Sequence, residues 1–120
     1  NFEDHINLYK KVDIALDTFP YNGVTTSFES IWMGVPVITM KGYNFNSRCG
    51  ESINKNLDME MLIAENEIQY IAKVKELCKN KDKLINIRKK IFDRAASSPL
   101  FDVKSFSHDF FETLETIYNK

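Results

Sequence analysis

Short apolar runs separated by turn-forming residues fill the first half of the chain, and longer stretches of helical period fill the second. Asp13-Ile14-Ala15-Leu16 has the length of a short buried strand, and the segment after it holds Pro20 and Asn22-Gly23, which turn the backbone out of regular structure. From about Thr25 to Met33 the apolar positions Phe28, Ile31 and Trp32, with Val35 beyond them, follow the helical period. Gly34 stands where a left-handed residue ends a helix. Val35 to Met40 is apolar on both faces and rich in β-branched residues, the pattern of a strand covered on both sides in a parallel sheet. Strand, helix and strand in so few residues make one βαβ unit. A helix over about 47–55 and a third short strand near 62–64 extend it.

Behind this the period changes. Ile68, Ile71, Val74, Leu77 and Cys78 share one helical face over 67–79. Leu84, Ile87, Ile91 and Ala95 do so over 82–96, and Val103, Phe106, Phe110, Leu114 and Ile117 over 103–118. Pro99 after Ser97-Ser98 separates the last two helices. The spacing therefore predicts an α/β portion over 1–66 and a helical portion over 67–120 in a single domain. Its parallel sheet has strands near 13–16, 36–40 and 62–64 and an unpaired edge that invites homo-oligomers. Trp32, one turn from Phe28, reads as core and not as a sugar platform.

Composition narrows the function classes. With 120 residues, 43% apolar and 28% charged, the chain is neither disordered nor collagen-like, and no apolar run approaches the roughly 18 to 20 residues that cross a bilayer. The net charge of −1 provides no general field for nucleic acid or an anionic membrane. Residues 73–94 do carry nine basic and three acidic side chains, a distribution ordinary for the solvated faces of amphipathic helices. Two cysteines, Cys49 and Cys78, cannot build a disulfide framework, and no signal segment opens the chain, so a cytoplasmic setting is expected. The opening Asn1-Phe2-Glu3, without an initiator Met, reads as part of something longer.

Candidate chemistry concentrates at Asn22-Gly23-Val24-Thr25-Thr26-Ser27-Phe28-Glu29, because this stretch follows a strand and opens a helix, where α/β sheets bind ligands. Backbone N–H groups and the helix dipole favour an anion there, and the Thr hydroxyls add donors for a diphosphate. Glu29, one turn past Thr25 and Thr26, has the reach to accept from the hydroxyls of a ribose. A purely structural reading stands beside this one: Thr26-Ser27-Phe28-Glu29 is also a capping box, with Thr26 as the cap and Glu29 returning to its N–H. Arg48 likewise has two readings, a phosphate contact or a pin holding its turn to a carboxylate or carbonyl. No Asp-x-Asp, zinc-ligand spacing, nucleophile elbow or Walker sequence occurs, which points to a site without metal or cofactor.

The run Leu16-Asp17-Thr18-Phe19-Pro20-Tyr21-Asn22-Gly23, then Thr25-Thr26 and Glu29-Ser30-Ile31-Trp32-Met33-Gly34-Val35-Pro36-Val37-Ile38-Thr39-Met40, resembles the donor-site segment of the O-GlcNAc transferase/SPINDLY glycosyltransferases. Ser47-Arg48, Gly50, Ser52, Leu62-Ile63-Ala64, Tyr70, Arg88 and Ser97-Ser98-Pro99-Leu100-Phe101 continue it in the same order. The resemblance implies a GT-B architecture of two Rossmann-like halves, with this chain forming the C-terminal part of the donor-binding half. It implies that Thr25 and Thr26 contact the donor diphosphate, with Gly23 and Val24 in the same loop, that Glu29 holds the ribose, and that His5 lies against the nucleobase; the residues around His5 alone also fit a surface histidine on a short amphipathic turn. Val24 stands where the animal enzymes have a histidine, so one imidazole donor is absent. The resemblance further implies a nucleotide-sugar donor, UDP-GlcNAc or GDP-fucose, and transfer to Ser or Thr of a polypeptide acceptor. It places tetratricopeptide repeats, the acceptor half and the catalytic lysine upstream, with no catalytic residue in this chain. Two other classes compete: a regulatory nucleotide- or phosphate-binding module, and a helical protein-interaction module, both without transfer chemistry.

Overall fold

The computed structural model describes residues 1–119. Helix α1 (Phe2–Leu8) opens the chain, capped reciprocally by Asn1 and Asp4, and runs into a 3-10 turn at Tyr9–Lys11. Strand β1 (Ala15–Leu16), helix α2 (Thr25–Trp32), strand β2 (Val37–Met40), helix α3 (Cys49–Asn56) and strand β3 (Ile63–Ala64) follow. Helices α4 (Glu67–Lys79), α5 (Lys81–Ser97) and α6 (Val103–Tyr118) complete the chain.

The three strands form one parallel sheet in the order β1-β2-β3. Ala15 pairs with Val37 and Leu16 with Ile38, while Thr39 pairs with Ile63 and Met40 with Ala64, so β1 lies along the first half of β2 and β3 along the second. Val37, Ile38 and Thr39 are buried, as the two-faced apolar pattern requires. Helices α2, α3 and α4 pack on β2, and α5 lies against α2 and α4. The core is built by Ile31, Val37, Ile38, Ile53, Leu57, Met59, Leu62, Leu77, Ile87 and Ile91, with Phe28, Tyr70, Leu100 and Phe101 packed around it.

Helix α2 ends as expected. Gly34 has φ +69°, the Val35 N–H reaches the Ser30 carbonyl at 2.8 Å and the Gly34 N–H reaches that of Ile31 at 2.9 Å, a Schellman closure. That sharp stop turns the chain directly into β2.

Four expectations are corrected. The first strand begins at Ala15 and not at 13, because its neighbour at that end is Pro36, which accepts from the Ala15 N–H at 2.9 Å but has no N–H to extend the ladder. The third strand loses Leu62 to a 3-10 turn over Glu60–Leu62. Trp32 is 55% exposed and leans on Phe101 with ring centroids 5.0 Å apart; Ile31, its neighbour, takes the core position. Helix α6 forms over the expected residues but buries none of its side chains, and Phe106, Phe110, Leu114 and Ile117 stay exposed.

Candidate functional site

The loop between β1 and α2 is held from beneath by one carboxylate. Asp17 Oδ1 accepts from the Gly23 N–H at 2.8 Å, and Oδ2 accepts from Thr39 Oγ1 on β2 at 2.7 Å. The Asp17 carbonyl accepts from Tyr70 Oη on α4 at 2.9 Å. Burial pushes the Asp17 carboxyl above its ordinary value, and the bonds from Thr39 and Gly23 pull it back. Asn22, 1% exposed, completes the frame: its side chain donates to the Thr18 carbonyl at 2.8 Å and accepts from the Gly50 N–H at 3.2 Å.

This frame presents the start of α2. The first N–H bonded within the helix is that of Phe28, to the Val24 carbonyl at 2.9 Å, which leaves the N–H groups of Thr25, Thr26 and Ser27 without intrahelical acceptors. Val24 occupies the cap position and supplies no side-chain acceptor. Thr25 and Thr26 are exposed on the first turn. Gly23 has committed its own N–H to Asp17, so its part is to leave room: a Cβ there would lie 2.7 Å from Thr26 Oγ1.

The capping-box reading fails on this geometry. Thr26 lies inside the helix, not at its cap, and Glu29 turns away from the helix start. Its Oε2 sits 2.9 Å from His5 Nε2 and accepts from Tyr9 Oη at 3.0 Å. These two contacts, the His5 bond first, hold the Glu29 carboxyl below its usual value. Helix α1 thus brings His5, predicted at a nucleobase, against Glu29, predicted at a ribose. Tyr9 is the member of this group that the sequence reading missed; its hydroxyl pKa is raised by burial and then by Glu29.

The electrostatic environment of α2 differs from that of every other described α-helix. Glu3 and Asp4 in α1, Glu51 in α3, Glu67 in α4 and Asp82 in α5 lie in first turns, and Asp102 caps α6. The first turn and cap of α2 hold no acidic residue. A helix start without a carboxylate of its own keeps its dipole and N–H groups available to an external anion.

A cleft of about 180 Å³ at the carboxyl end of β1 is lined by Leu16, Asp17, Thr18, Gly23, Thr26 and Ser27. A larger groove of about 570 Å³ lies on the Val24 side, walled by Phe28, Phe45, Cys49 and Leu100. Its two cations are already engaged, since Arg48 and Lys55 both bind Glu51 at 2.8 Å. Through Nε, Arg48 makes the pin to a carboxylate that its structural reading expects.

Comparisons with known proteins identify the family and the fold. The family model described as glycosyl transferase family 41 matches residues 1–110. The chain belongs to glycosyl transferase family 41. It is 38% identical over 115 residues to a probable UDP-N-acetylglucosamine–peptide N-acetylglucosaminyltransferase SPINDLY of Solanum lycopersicum, covering 96% of this chain and 12% of that relative. It is 32% identical over 118 residues to the UDP-N-acetylglucosamine–peptide N-acetylglucosaminyltransferase of Caenorhabditis elegans, covering 98% of this chain and 10% of that one. A solved structure of a lysine-to-methionine mutant of Thermobaculum terrenum O-GlcNAc transferase superimposes with a TM-score of 0.90 at 30% identity, over 96% of this chain and 22% of that chain. The fold of this family 41 chain is that of part of a GT-B Rossmann-like half: a short parallel sheet, flanking helices and a helical C-terminal region. Among the described residues no helix is long and apolar enough to cross a membrane.

Proposed function

We propose that this chain is the donor-binding portion of a protein O-glycosyltransferase, with a nucleotide sugar of the UDP-GlcNAc kind as donor. The observation that carries the reading is the start of α2, which combines open N–H groups, the exposed hydroxyls of Thr25 and Thr26, and no carboxylate in its cap or first turn. The diphosphate sits on that turn beside Val24, Gly23 makes room for the Thr26 hydroxyl that meets it, Glu29 accepts from the ribose, and His5 on α1 meets the base. In transfer, these groups act on the leaving group. Fixed dipoles and hydroxyls offset the charge that grows on the departing diphosphate, and no resident metal is required for it. The polypeptide acceptor, the catalytic groups and any tetratricopeptide repeats belong to the remaining length typical of the relatives. The free thiols of Cys49 and Cys78 suit a cytoplasmic setting.

Calorimetric titration of the intact protein with UDP, GDP and their sugars tests the reading. Saturable binding of a nucleoside diphosphate, weakened by Thr26→Ala without a comparable loss of thermal stability, is the expected result. Normal nucleotide binding in Thr25→Ala/Thr26→Ala would overturn it. The helical-interaction alternative draws on one observation, the unburied apolar face of α6, and that face leaves the features of α2 unaccounted for.

A further inference from the structure

The two oxygens of Glu29 are used differently. Oε2 meets both Tyr9 Oη, at 3.0 Å, and His5 Nε2, at 2.9 Å. A carboxylate oxygen offers about two lone-pair sites, so these two partners fill Oε2. None of the side-chain hydrogen bonds among the described residues ends on Oε1.

The two partners are also anchored differently. His5 stands on a seven-residue helix with its side chain 48% exposed. Tyr9 is half-buried in the 3-10 turn, and the chain just beyond it is tied to α5 by Arg88 Nη1, which donates to the Val12 carbonyl at 2.7 Å and to that of Asp13 at 3.2 Å. Tyr9 Oη also stands 3.5 Å from the Thr26 carbonyl, so it bridges the first turn of α2 and the carboxylate one turn later. The terminal torsion of a Glu side chain is soft, and without a fixed donor its two oxygens interchange readily.

We propose that Tyr9 is a positioning residue of the donor site: its hydroxyl, together with His5, occupies Oε2 of Glu29 and so presents Oε1 to the sugar hydroxyls of a ribonucleotide. This rests on the reading of Glu29 as the ribose acceptor and adds to it a source of discrimination between ribose and 2′-deoxyribose. Tyr9 itself need not touch the nucleotide.

The test uses the intact protein as wild type, Tyr9→Phe and Glu29→Gln, titrated calorimetrically with UDP, 2′-deoxy-UDP, GDP and 2′-deoxy-GDP. The readout is the ribo-to-deoxy affinity ratio in whichever base pair the wild type binds more tightly, with melting temperature recorded alongside. Tyr9→Phe is expected to narrow that ratio by about threefold to tenfold, the range of one lost hydrogen bond, through weaker ribonucleotide binding at nearly constant deoxynucleotide binding. Glu29→Gln is expected to narrow it at least as much. A Tyr9→Phe protein that melts lower but keeps the wild-type ratio, while Glu29→Gln loses it, overturns the positioning role and leaves the ribose reading standing. A ratio that survives in Glu29→Gln as well, or a wild type that shows no preference for ribose or no nucleotide binding, overturns both.

Discussion

Helices α2 and α3 both follow a strand of the same sheet, and neither receives a side-chain cap from the residue before it. They resolve the unmet charge at their starts in opposite ways. Helix α3 carries its own anion: Glu51, with its side chain 4% exposed, lies in the first turn and is clamped by Arg48 and Lys55. Helix α2 has serine and threonine in its first turn, and its one carboxylate, Glu29, is drawn off toward α1. One helix start is neutralised from within and the adjacent one is left open, and the proposed anion site rests on that difference.

The strongest way to break this contrast is to make α2 resemble α3. Val24→Asp places a carboxylate beside the open N–H groups, where it competes with a diphosphate and repels it. Nucleotide affinity in the intact protein is expected to fall by about tenfold or more, with no loss of melting temperature. Calorimetry and a thermal scan on the same sample check both halves. Next in size is Thr26→Ala, expected to weaken nucleotide binding by about 1 kcal/mol or more through the loss of a hydroxyl donor to a charged oxygen, again with little change in stability.

The opposite behaviour is expected where a helix start serves only the fold. Asn80 caps α5 by accepting from the Lys83 N–H at 2.9 Å. Asn80→Ala should cost about 1 kcal/mol of unfolding free energy in a denaturant titration and leave nucleotide affinity unchanged. The smallest effect concerns α3 itself. Arg48 and Lys55 hold the Glu51 carboxyl down to about 2. A carboxyl lowered by folding adds stability that is complete above its ordinary value near 4.5 and fades as pH falls toward 2. Lys55→Met removes one of the two cations, so its acid-unfolding midpoint should lie above that of the wild type, followed by circular dichroism.

Much of this was legible from the spacing of residues. The two-faced apolar run into Met40 forecast a central parallel strand, Gly34 the helix stop before it, and the position of Thr25 and Thr26 after a strand the candidate anion site. What escaped had tertiary causes. The Thr26 to Glu29 spacing is a valid local capping pattern. It lost to contacts 24 and 20 residues away in sequence, from His5 and Tyr9, which no local pattern contains. Tyr9 itself lies in a segment whose apolar spacing predicted no element. The stripes of α4 and α6 gave their helices correctly but not their burial. Ile68 is 81% exposed and Phe106 67% exposed, because a periodic stripe records a face suited to packing and not what covers it.

Asp17 carries a further consequence. Through one residue the end of β1 is bound to Gly23 in the loop, to Thr39 on the central strand and to Tyr70 on α4, and Asn22 ties the same loop to the start of α3. In the proposed donor site, the backbone that would face the diphosphate has therefore surrendered its conformational entropy during folding, not at the moment of binding. Each loop residue left free would cost on the order of 1 to 2 kcal/mol to order when the ligand arrives. With the loop fixed beforehand, even a modest set of hydroxyl and N–H contacts would suffice to hold the proposed donor. Loosening Asp17 would thus weaken binding without removing any group that touches the ligand.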